Sequence, residues 1–177
     1  MVSTNININH PREGARWLAI KRQVANSRRN SFILKLVRSL EKSGRDILVL
    51  SDRKEHLSNL NEQYTGSSGL FMGNAKKEEI PTEKVIFATW QKLGRALSVN
   101  RLNTLVLASV RTGVIQAAGR ITRVKHALKP FVVDLVDEGP YYRDAWEKRF
   151  KSYRKAGWKV VKYNPNTKMQ TVLYNGE

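Results

Sequence analysis

The sequence predicts an α/β fold, a parallel sheet with helices on both faces, and three observations predict it. Five short runs, "DILVLSD", "LFMG", "KVIFATW", "NTLVLAS" and "PFVVDLVD", are almost continuously apolar, the pattern of strands buried on both sides. Helical periods or polar turns separate them. Finally, 177 residues with 41% apolar content suffice for one well-buried core and are few for two.

Taken in order, residues 1–11 read as an extended lead-in and residues 12–177 as one domain. "NSFILKLVRSLEKSG" places Ile33, Leu36, Val37 and Leu40 on one helical face, with Gly44 set to end the helix. After the strand "DILVLSD", Asp52 followed by Glu55 resembles a capping box for a second helix, whose inner stripe is Leu57, Leu60 and Tyr64. "TGSSG" is a turn, and the next three apolar runs follow it. Beyond "PFVVDLVD", Pro140 opens a helix with Tyr142, Trp146, Phe150 and Tyr153 on one face, read as core packing. Its opposite face carries Arg143, Lys148, Lys151, Arg154 and Lys155. "WKVVKY" and "MQTVLY" around "NPNTK" form a closing β-hairpin.

Composition excludes several chemistries. The chain has no cysteine, so disulfides, thiolate metal sites and thiol nucleophiles are ruled out, and a reducing, cytoplasmic setting is expected. His10, His56 and His126 lie far apart without ligand spacing, so no metal site is expected. No apolar stretch is long enough for a membrane span, so no membrane partner is expected. Thirty-two Lys and Arg against fifteen Asp and Glu leave a net charge of +17, which favours a polyanionic partner, above all nucleic acid. From Lys84 to Val133 nine basic residues occur without one acid.

That acid-free span contains "QAAGRITR". On a helix Gln116, Arg120 and Arg123 share one face, while Val114, Ala118 and Ile121 form the ladder that packs inward. Guanidinium forks stay charged and bond phosphate oxygens bidentately. Gly119 costs a helix about 1 kcal/mol relative to alanine, which points to a close approach to the backbone there.

In order and spacing, "ILVLSDRKEHLSNL", "GLFMGNAKKEE", "VIFATWQKLGRALSVNRLNTLVLAS", "VIQAAGRITR" and "FVVDLVD" resemble the C-terminal RecA-like lobe of superfamily 2 helicases, most of all the phage and large-DNA-virus branch. The resemblance covers residues 16–160. It implies an ATP site between two RecA-like lobes, with the phosphate loop and the Mg²⁺ carboxylate supplied by an N-terminal lobe in cis or in trans. Arg120 and Arg123 then correspond to the arginine fingers of the Q-x-x-G-R-x-x-R motif, with Gln116 and Gly119 beside the nucleotide. Thr89, after Ala88, matches the start of the fifth motif, and Ser51, Asp52 and Arg53 match the fourth. Gly73 falls on a loop of close backbone approach. Ser51, Arg53, Gly73 and Thr89 are the expected contacts to nucleic acid, with DNA ahead of RNA.

Two departures bear on function. Where many relatives read Glu-Gly-Leu-Asp, this chain reads Arg95-Ala96-Leu97-Ser98, which removes an acidic pair that couples nucleotide to nucleic acid. None of the eleven glycines precedes a lysine, so there is no Walker A loop and the chain alone is not expected to hydrolyse ATP. Asp137 and Glu138 imitate a Walker B strand but lack a phosphate loop upstream, and are not read as a Mg²⁺ site. A second reading therefore stands beside the half-motor: a non-catalytic nucleic-acid-binding module derived from a helicase lobe.

Overall fold

The computed structural model describes residues 1–8, 16–95, 99–122 and 124–176. In chain order the elements are β1 (Val2–Asn7), α1 (Arg16–Ala25), α2 (Ser27–Lys42), β2 (Ile47–Ser51), α3 (Lys54–Gln63), β3 (Ser68–Phe71), β4 (Val85–Thr89), α4 (Trp90–Arg95), β5 (Thr104–Leu107), α5 (Ile115–Ile121), β6 (Phe131–Glu138), α6 (Pro140–Lys155), β7 (Val160–Tyr163) and β8 (Gln170–Tyr174). A single sheet of eight strands runs β3-β4-β2-β5-β6-β1-β7-β8. Every pairing is parallel except β7 with β8, which forms the expected C-terminal hairpin.

The five apolar runs are strands β2 to β6, and alternate side chains serve two cores. Leu48, Leu50, Ile86, Ala88, Leu105 and Leu107 face a cluster with α4, α5 and α6. Ile47, Val49, Val85, Phe87 and Val106 face the other, with α2 and α3. Each fully buried aliphatic side chain contributes about 1.5–3 kcal/mol, so β2, β4 and β5 are the frame on which the rest hangs.

The expected lead-in over residues 1–11 is, over Val2–Asn7, a strand of the sheet itself, parallel to both β6 and β7. Val2, Thr4 and Ile6 turn inward at period 2 and are buried. The capping box is a second difference. Helix α3 starts after Arg53 without a side-chain cap, because the Asp52 carboxylate is drawn to Arg111, 2.8 Å away at the end of the β5 segment. Among the described residues no helix is long and apolar enough to cross a membrane.

Candidate functional site

Strands β2, β3, β4 and β5 are parallel, so their carboxyl ends lie along one edge, where open α/β sheets carry ligands. All the sequence-selected residues within the described part lie on this edge or on the helix that follows it.

Helix α5 is pinned by its inner face. Val114, Ala117, Ala118 and Ile121 are buried against the sheet, while Gln116 is exposed and Arg120 half-buried one turn further on. His126 closes the C-terminal end, with Nε2 2.8 Å from the Ile121 carbonyl. A Cβ added to Gly119 would meet nothing within 4 Å among the described residues, which leaves space beside Arg120 for an incoming group. Arg123, Ala96, Leu97 and Ser98 lie outside the described residues.

The segment entering α5 is held from both faces of the sheet. On one side Arg29, fully buried, bonds Asp137 through Nε at 2.8 and 2.9 Å and donates Nη1 to the Ala108 carbonyl at 2.6 Å. Gln23 bridges the same carboxylate and accepts the Val110 N–H at 2.9 Å. Thr4 gives Asp137 a further hydrogen bond at 2.6 Å. On the other side Arg149 makes a two-pronged pair with Asp134 at 2.7 and 2.8 Å and donates to the Arg111 carbonyl at 3.2 Å. Tyr153 donates its hydroxyl to the same carboxylate at 2.8 Å. Burial works against the Arg149 charge, but Asp134 and Tyr153 outweigh it and raise its pKa. Burial first, then the Asp134 charge, pushes the Tyr153 hydroxyl far above its ordinary range.

Asp137 is thus consumed by the fold, with both carboxylate oxygens engaged. Among the described residues no group of three or more His, Asp or Glu could hold a metal ion.

At the strand ends Ser51 and Thr89 are register partners. Ser51 has no exposed surface: its hydroxyl bonds His56 Nδ1 at 3.0 Å and accepts the Arg53 N–H at 3.3 Å. It shapes the loop and presents nothing outward. His56 is buried and donates Nε2–H to Asn30 Oδ1 at 3.0 Å, so Nδ1 accepts from Ser51. Burial and the Arg29 charge lower its pKa to about 3. Thr89 is almost covered, Arg53 is exposed, and Gly73 is exposed with a φ of +65° that favours glycine. Lys54 Nζ would lie 3.7 Å from a Cβ at Gly73, which adds a cation that sequence reasoning passed over although it adjoins Arg53.

Arg111 ties the two halves of this edge together. Its guanidinium pairs with Asp52 and lies 5.0 Å from the centre of the Trp90 ring, so it touches both the loop after β2 and the start of α4. Ser109 adds a bond from the Asp52 N–H at 2.9 Å.

No family model matches the chain. Among curated proteins it is 29% identical over 164 residues to "Putative ATP-dependent RNA helicase L396" of Acanthamoeba polyphaga mimivirus, covering 84% of this chain and 31% of that protein. It is 37% identical over 86 residues to "Uncharacterized protein 108L" of Invertebrate iridescent virus 3, covering 48% of this chain and 82% of that protein. "Putative helicase 161L" of Invertebrate iridescent virus 6 is 37% identical over 81 residues, which are 45% of this chain and 18% of that protein. Among solved structures T4 UvsW superposes with a TM-score of 0.66 at 20% identity, over 86% of this chain and 37% of the other.

The chain folds as a RecA-like lobe and is similar to viral proteins named as putative helicases. The C-terminal part of the Fun30 ATPase domain shares the lobe's fold, with a TM-score of 0.59 at 12% identity over 71% of this chain and 46% of that one. The lobe spans about a third of the length of the mimivirus relative, so the whole of that relative includes much that this chain does not.

Proposed function

We propose that this lobe is the second half of an ATP-driven nucleic-acid motor. Arg120, with Arg123 beyond it, reaches the terminal phosphate of an ATP held chiefly by a separate N-terminal lobe. Arg53, Gly73 and Thr89, joined by Lys54, receive the nucleic-acid backbone, and Ser51 supports them from beneath.

The observation that carries this proposal is the two-sided character of α5. Its inner face is locked to the sheet, and its outer face aligns an amide, an open glycine and a guanidinium. That set fits phosphate oxygens, since Arg120 is permanently charged and Gln116 supplies a neutral donor beside it. Bound ATP with Mg²⁺ supplies the phosphoryl group that is transferred to water. The carboxylate that holds Mg²⁺ belongs to the other lobe, because Asp137 is committed to Arg29. Two buried ion pairs brace the approach to α5, so the position of Arg120 is set before ATP arrives, as electrostatic catalysis requires.

The nucleic-acid contacts proposed are to phosphate and sugar, which position the strand without reading its sequence. DNA and RNA share that backbone, and competition between the two decides the preferred polymer.

The test is binding of the isolated lobe to single-stranded and duplex oligonucleotides across a salt series, with and without ATP and Mg²⁺. Affinity is expected to fall linearly on a log–log scale, by a slope of about 0.7 per phosphate contact on single strands. ATP is expected to leave it unchanged. Binding that responds to ATP would show a nucleotide site complete without the other lobe, and would overturn the division of labour proposed.

A further inference from the structure

Apart from the edge described above, a cleft of about 700 Å³ opens between the start of α6 and strands β1, β6 and β7. Its floor includes Ser3 on β1, one wall carries Arg143 and Trp146 on α6, and Lys162 on β7 stands opposite. Asn7 and Glu138, register partners at the ends of β1 and β6, close the end nearest the strand termini.

Arg143 and Lys162 are exposed, and neither has an acid within ion-pair distance among the described residues. Trp146 is only half-buried although it stacks on Phe150, with centroids 5.4 Å apart and planes at 19°. Two cations, an indole and a small hydroxyl in one cleft match the parts of a nucleotide: phosphate for the guanidinium and ammonium, a base for the ring. Asn7 and Glu138 together supply donors and acceptors for a base edge or a sugar hydroxyl. Two acids also line the cleft, but Asp137 is neutralised by Arg29, so Glu138 alone stands against the two bases, and the chain's net charge of +17 acts in the same direction as those bases.

We infer that this cleft is a second contact for single-stranded nucleic acid, in which a base lies against Trp146 and its phosphate sits between Arg143 and Lys162. It rests on the proposal that the lobe binds nucleic acid at all, but uses none of the residues assigned to the strand-end edge. A strand engaged at both places is held at two points of one rigid lobe, which strengthens binding through effective concentration.

The experiment measures binding of a fluorescent oligothymidylate by anisotropy across a salt series. It compares the unmodified lobe, the Arg143→Ala/Lys162→Ala pair, and a control pair, Lys42→Ala/Lys151→Ala, whose exposed lysines lie away from the cleft. Trp146→Phe, which keeps an aromatic ring on Phe150, is compared by quenching of tryptophan fluorescence. The cleft pair is expected to weaken binding about tenfold and to lower the salt slope by about 0.7 per lost contact, while the control pair changes both far less. Trp146→Phe is expected to lose most of the quenching. If the cleft pair behaves like the control and quenching survives in Trp146→Phe, the cleft is not a contact, although the edge proposal stands. If the unmodified lobe does not bind the oligonucleotide, the edge proposal fails and the cleft fails with it.

Discussion

Asp134 and Asp137, three positions apart on β6, face opposite sides of the sheet, and each holds a buried arginine. The odd spacing is what separates them, because side chains alternate along a strand. Arg149 and Arg29 then brace the backbone at Arg111 and Ala108, just before the helix that carries Arg120. Removing one partner of such a pair leaves an uncompensated charge in the core. Asp137→Ala is expected to cost about 3–5 kcal/mol in urea unfolding. A loss under about 1 kcal/mol would show that water reaches Arg29 and that the pair is not the brace described here.

Gly119 separates stability from function. Among the described residues nothing lies within 4 Å of an added Cβ, so Gly119→Ala meets no steric cost from them in the lobe alone. Its helix is expected to gain about 0.5–1 kcal/mol, read as a higher melting temperature. In an assembly with the N-terminal lobe the same methyl group occupies the space proposed for the nucleotide, so ATP hydrolysis is expected to fall. A stabilised lobe with full hydrolysis would show that nothing approaches the backbone there.

His56 makes the loop after β2 sensitive to acid. Its pKa is lowered from 6.5 to about 3 in the folded chain, so between those values the unfolded chain binds a proton that the folded chain refuses. Stability is therefore complete above about pH 6.5 and falls as the pH drops toward 3, by up to about 1.4 kcal/mol per pH unit. Urea unfolding at pH 7.5 and at about pH 5 checks this, with His56→Gln as the comparison. The unmodified lobe is expected to lose more stability than the variant, and equal losses would clear His56 of the effect.

Much of the fold was legible because it is written in local pattern. Strands β2 to β6 are apolar runs bounded by polar turns, and the inner and outer faces of α5 follow from helical spacing alone. What escaped depends on partners distant in sequence. The residues of β1 alternate visibly, but their insertion between β6 and β7 pairs Val2 with Leu135 and Tyr163. Asp52 has the spacing of a cap, yet Arg111, 59 residues on, takes its carboxylate. Arg29 and Arg149 are two among thirty-two basic residues until Asp137 and Asp134 are placed beside them. For Arg149 a local signal existed: it lies three residues after Trp146 and four before Tyr153, on the buried aromatic face of α6. Ser51 shows the converse, a motif position whose hydroxyl turns inward to His56.

The most direct test of the central claim is ATP hydrolysis by this lobe combined with an N-terminal RecA-like lobe, with single-stranded nucleic acid present, before and after Arg120→Ala. The variant is expected to bind nucleic acid about as well as the unmodified lobe while hydrolysis falls by about 10³- to 10⁵-fold. Hydrolysis that persists in the variant, with binding weakened only as by any lost phosphate contact, would contradict the arginine-finger role and leave the chain a nucleic-acid-binding module.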